Sequence, residues 1–130
     1  MIHSSGVDII EVKRIKDMVD KHGKKFLQRI FSDGEIRYCD SRKNKYEHYA
    51  ARFAAKEAVM KTLGAGIGTI GFKEIEVLRG AKGDVLVQLG GKARERSDNL
   101  GISHIHISLS HTATYAVALA IAEIEEKKKF

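Results

Sequence analysis

The chain reads as a single α+β domain with a mainly antiparallel sheet packed against a long helix. Three observations lead there. Apolar residues recur at helical spacing in 12–30 and 46–63, whereas 102–110 and 114–121 alternate at every second position, the period of a strand. The order of these segments (one strand, two or three helices, two strands, a short helix, two strands) favours antiparallel pairing. With 130 residues, 43% of them apolar, the chain has the length of one compact domain, which we assign to residues 1–130.

Each element has its own signal. Ile2 to Ile10 is rich in β-branched residues and reads as a strand. From Glu11 the period changes: Val12, Ile15, Val19, Phe26 and Ile30 mark an amphipathic helix, with Gly23 as an interruption. Ser32-Asp33-Gly34-Glu35 has capping-box spacing and opens a short helix. After the polar stretch 41–45, a long helix runs from Tyr46 to Leu63 and stops at Gly64, the first glycine of Gly64-Ala-Gly-Ile-Gly68. Phe72–Arg79 and Asp84–Leu89 flank Gly80-Ala-Lys-Gly83 and read as a hairpin. Lys92–Asn99 is a short helix closed by Gly101. In the last strand Ala116, Ala118 and Ala120 alternate with larger residues; the period of two outweighs alanine's helical preference.

Composition narrows the function. The net charge is +6, and residues 1–65 carry +5 of it; Lys13 to Arg29 holds seven basic residues against Asp17 and Asp20. Such a segment is either a solvated helix face or a surface for an anionic partner. No apolar run approaches the ~20 residues of a membrane span. Met1-Ile2-His3 lacks the opening of a signal peptide, so a cytoplasmic location is expected. The single cysteine, Cys39, excludes an intrachain disulfide and a cysteine-based zinc cluster.

Two carboxylates stand out. On a helical wheel Glu57 falls between Ala50, Phe53 and Met60, in the stripe expected to be buried, where an ion needs a partner. Lys61, one turn on, offers an ordinary helical pair. Asp8, between Val7 and Ile9 and after Gly6, either caps the following helix or shares a site with Glu57. Two carboxylates on rigid elements, with Lys56 and Lys61 nearby and a glycine-rich turn behind, suit magnesium and a diphosphate: magnesium takes one or two protein carboxylates and lysines neutralise phosphate. The glycine turn follows a helix, so it is no dinucleotide or P-loop fingerprint. His104 and His106 share a strand face without a third ligand, and Ser110 and His111 point to opposite faces. Tyr46 and Tyr49 among Lys45 and Arg52 leave a small basic nucleic-acid-binding module as the alternative, one that does not explain Glu57.

Gly6-Val-Asp-Ile-Ile10, Arg52-Phe-Ala-Ala-Lys-Glu-Ala58 with Lys61, Arg29-Ile-Phe-Ser, Glu35, the 64–68 turn and His106-Ile-Ser-Leu-Ser-His-Thr112 together resemble the 4'-phosphopantetheinyl transferases, in particular the short bacterial branch that modifies acyl carrier protein. The resemblance spans nearly the whole chain. It implies transfer of 4'-phosphopantetheine from coenzyme A to a serine of apo-acyl carrier protein in support of fatty acid biosynthesis, with release of adenosine 3',5'-bisphosphate. By the same resemblance Asp8 and Glu57 match magnesium ligands and, with Lys61 near the diphosphate, the catalytic group. Arg52, Phe53, Lys61, Gly64, Gly66 and His111 match coenzyme A contacts. It also implies a homotrimer with interfacial active sites, for which the Ala116, Ala118 and Ala120 face suits close packing, as it equally suits a tight core. An acidic carrier protein would explain the basic segment, with Arg14, Lys21 and Lys24 as docking residues. No nucleic-acid or membrane partner is expected.

Overall fold

A computed structural model describes residues 1–64 and 69–125. Strand β1 (Ile2–Glu11) is the edge of a three-stranded antiparallel sheet, order β1-β5-β4, completed by β4 (Ile102–His111) and β5 (Tyr115–Ile124). In β1 the residues Ser4, Gly6, Asp8 and Ile10 turn inward, while Val7 and Ile9 turn outward. Helix α4 (Lys45–Thr62) crosses the inner face. It can lie close because both surfaces are alanine: Ala50, Ala51, Ala54, Ala55 and Ala58 of α4 and Ala116, Ala118, Ala120 and Ala122 of β5 are all buried. The alanine face of β5 is therefore core, and the expectation that it packs between subunits is corrected. The outward face is the one left open, with Val7 57%, Ile9 64%, Tyr115 48% and Leu119 42% exposed.

Gly6 is present for space. Its φ is not positive, but a Cβ there would stand 2.2 Å from the Ala58 carbonyl oxygen. Gly23, at φ 59°, ends α1 (Val12–His22) and separates it from α2 (Lys24–Ile30). Lys24 consequently opens a new helix and does not continue the face that carries Arg14 and Lys21. Helix α3 (Asp33–Asp40) begins at the expected capping box: Glu35 N–H donates to Ser32 Oγ at 3.2 Å, and Ser32 N–H donates to Glu35 Oε1 at 2.8 Å.

The remaining elements form a separate two-stranded sheet, β2 (Ile75–Arg79) with β3 (Val85–Leu89), followed by α5 (Gly91–Asn99). The expected strand start at Phe72 is corrected: Phe72–Glu74 is a 3-10 turn. Glu74 causes it by accepting the N–H of Gly71 at 2.5 Å and that of Lys92 at 2.6 Å, which curls the chain and ties it to α5.

Candidate active site

Strand β1 and helix α4 bring Asp8, Glu57 and Lys61 together. Gly6 sets the close approach, so that two residues on the Asp8 side chain faces the last turns of α4. Lys61 Nζ donates to the Val7 carbonyl at 2.8 Å and stands 3.4 Å from Asp8 Oδ1. Lysine thus pairs across to β1, and the ordinary helical pair with Glu57 does not form. Nor does Asp8 cap α1, whose N-cap is Glu11 with no side-chain hydrogen bond. Glu57 takes no hydrogen bond or ion pair among the described residues. Burial raises its carboxyl above the usual value and the Asp8 charge adds to this, while Lys61 and Arg14 oppose it.

The wheel placed Glu57 at the centre of a buried stripe, and this is corrected. Helix α4 is covered nearly all round, and Glu57 lies on its more open line with Phe53 and Lys61. The buried ion is its neighbour. Lys56 and Glu35 both have 0% side-chain exposure and pair at 2.8 Å. Lys56 Nζ also donates to the carbonyls of Phe72, at 3.1 Å, and Ile75. Glu35 accepts in addition from Ser32 N–H and, at 3.0 Å, from Val77 N–H. Burial pulls the Lys56 ammonium's pKa down and the Glu35 charge holds against it. Lys56 is therefore committed to the core and does not face a phosphate. The expectation that Lys56 helps to neutralise a phosphate is corrected; the sequence signal for its burial is its place amid Ala54, Ala55 and Ala58.

As a donor set, Asp8 and Glu57 fit magnesium. They offer two hard carboxylates, one without competing bonds, and no group of three or more His, Cys, Asp or Glu able to hold a metal occurs among the described residues.

A second, cationic group surrounds Tyr38. The guanidinium of Arg52 lies 4.1 Å from the ring centroid and those of Arg42 and Arg79 each 5.5 Å away. Arg52 is buried and its Nε finds no partner among the described residues. His48 packs edge-on to both Tyr38 and His111, and burial together with His111 lowers its pKa. His111 Nδ1 meets Glu47 Oε1 at 3.0 Å. Sequence reasoning found His111 and Arg52 but missed Tyr38, Arg42, Arg79 and Glu47. Phe53 stacks on Phe72 at 5.3 Å. His111 touches α4 at Glu47, ten residues or about 15 Å before Glu57, and Arg52 lies between them on the same helix.

Gly64, at φ 64°, ends α4 and borders a cleft of about 360 Å³ lined also by Thr69, Ile70, Lys92, Glu95, Arg96 and Asn99. Gly66 lies outside the described residues. Arg14, Met18 and Lys21 form an exposed line on α1, with Arg14 near enough to act on Glu57. His104 and His106 pack edge-on to each other on the sheet's outer face, His106 facing Glu123 at 3.4 Å. Cys39 is buried, its thiol pushed up to about 12. No helix among the described residues is long and apolar enough to cross a membrane.

Residues 4–120 match the model of the 4'-phosphopantetheinyl transferase superfamily. A protein of Ruminiclostridium cellulolyticum named holo-[acyl-carrier-protein] synthase is 51% identical over 126 residues, 95% of this chain and 94% of the relative. The crystal structure of the Helicobacter pylori holo-[acyl-carrier-protein] synthase in complex with coenzyme A superposes with TM-score 0.81 at 32% identity, over 92% of this chain and all of that one. The Bacillus anthracis counterpart, in complex with CoA (3',5'-ADP), gives 0.79 at 34% identity, over 96% and 99% of the two chains.

Proposed function

The chain belongs to the 4'-phosphopantetheinyl transferase superfamily, and from that premise we propose that it transfers 4'-phosphopantetheine from coenzyme A to a serine of apo-acyl carrier protein. The observation that carries the reading is the meeting of Asp8 and Glu57 from two rigid elements, with Lys61 bonded across them. The serine oxygen forms a bond to the pantetheine-bearing phosphorus, the bridging P–O bond of the diphosphate breaks, and adenosine 3',5'-bisphosphate leaves. Magnesium held by Asp8 and Glu57 would supply charge neutralisation at the diphosphate. Lys61, half exposed and anchored to Val7, adds a donor on the same side. The serine proton passes to Glu57 or to a water held by the two carboxylates.

The cationic group suits the nucleotide end of the donor. Arg52 holds an unused N–H, and His111 is fixed by Glu47. The apolar outer face of the sheet supports a homotrimer in which copies share each active site. The exposed line Arg14, Met18, Lys21 suits an acidic carrier helix, with Lys24 as a separate contact at the head of α2. The reaction serves fatty acid biosynthesis in the cytoplasm.

The test is chromatographic. Coenzyme A, magnesium, apo-carrier and this protein should yield adenosine 3',5'-bisphosphate, and a carrier whose acceptor serine is alanine should yield none. Release that ignores the carrier, or no release with several carriers, refutes the proposal.

A further inference from the structure

We infer that Lys56 is a positioning residue: its ammonium, bonded across three elements, sets the rotation of α4 that turns the neighbouring Glu57 toward Asp8. This rests on Asp8 and Glu57 being the metal ligands proposed above.

A helix faced with alanine is poorly fixed about its own axis, because small, similar side chains interlock little. At one end of α4 the Tyr49 hydroxyl donates to Asp40 Oδ1 at 2.7 Å; at the other the Ser4 hydroxyl donates to the Thr62 carbonyl at 2.6 Å. Between residues 50 and 60, Lys56 makes the only hydrogen bonds from α4 to other elements among the described residues. Its three donors reach α3 through Glu35, the 3-10 turn through Phe72, and β2 through Ile75. Glu35 is itself fixed by the N–H groups of Ser32 and Val77, so the anchor is rigid at both ends. A turn of α4 by about 20° would sweep a carboxylate about 6 Å from the axis through about 2 Å. Magnesium demands ligand distances near ~2.1 Å and nearly octahedral directions, so such a sweep separates the two carboxylates as a site.

The test reads binding of a metal without turnover. Mn2+ affinity is measured by electron paramagnetic resonance with saturating coenzyme A and no carrier, beside coenzyme A affinity without metal and the melting temperature. Lys56→Met, which keeps the apolar stem, should weaken Mn2+ about 10-fold or more, the size seen when the support of a metal ligand is removed. Metal-free coenzyme A affinity should stay within about twofold. Glu35→Asp, which keeps the charge but draws the pair apart, should shift Mn2+ affinity less and in the same direction. A lower melting temperature with unchanged Mn2+ affinity means a purely structural pair and overturns the inference, as does loss of metal-free coenzyme A binding along with Mn2+. If Lys56→Met fails to fold, Glu35→Asp decides by the same criteria. Glu57→Gln separates the two levels: if it binds Mn2+ like the wild type, the proposed metal site itself fails and takes this inference with it.

Discussion

At Glu57 burial and the neighbouring Asp8 act in the same direction, raising the carboxyl in the folded protein above its unfolded value. The folded chain then holds the proton more tightly, so stability from this group is present below the ordinary carboxylate range and falls as pH climbs through the raised value. At about pH 7 the ionised side chain is a net cost. Metal-free Glu57→Gln should therefore melt above the wild type at neutral pH, and the difference should close as pH falls through the ordinary carboxylate range. Calorimetry across that range checks it; a Glu57→Gln protein that is less stable at neutral pH would make the carboxylate a structural partner. The same change, and Asp8→Ala, should cost about 100-fold or more in transfer with the circular dichroism unchanged. Both carboxylates were legible in the sequence as ions among apolar residues. Their neighbour was not: Lys56 and Glu35 are 21 positions apart, and only the packing of α3 against α4 reveals that they pair.

Helix α4 fits the sheet because β5 presents alanine and β1 presents Gly6, and the two contacts can be tested separately. Gly6→Ala sets a Cβ against the Ala58 carbonyl oxygen, so β1 must back away from α4 at a cost of about 1–3 kcal/mol, carrying Asp8 with it. Denaturant unfolding reads the cost, and transfer should fall further than stability alone explains. Ala118→Leu, on the buried face of β5, should likewise destabilise the single chain instead of acting on assembly. On α1, Arg14→Glu should raise the Michaelis constant for carrier protein and leave coenzyme A affinity nearly unchanged; the reverse pattern removes Arg14 from docking. The periods of Val12 to Ile30 and of Tyr115 to Ile124 and the Ser32 capping box are properties of neighbouring residues, which is why the sequence shows them. The 3-10 turn at Phe72 is closed by Glu74 on the Gly71 N–H three residues back and tied to α5 through Lys92, a tertiary contact with no local signature.

For the whole molecule, the sheet has one alanine face sealed by α4 and one open face bearing Val7, Ile9, Tyr115 and Leu119. Alternation along β5 was visible in the sequence, but which side met α4 was not, since alanine suits a tight core and a tight interface equally. Leu119→Glu should leave the circular dichroism unchanged, lower the particle mass seen by light scattering, and reduce transfer at least about tenfold if each site is shared. A fully active wild-type monomer would contradict shared sites. The reaction itself is tested most directly by the intact mass of apo-acyl carrier protein after incubation with coenzyme A and magnesium. With the wild type the carrier should gain one phosphopantetheine on its acceptor serine, and with Glu57→Gln almost none. A carrier left unchanged by the wild type, or modified equally well by Glu57→Gln, would contradict a transferase built on Asp8 and Glu57.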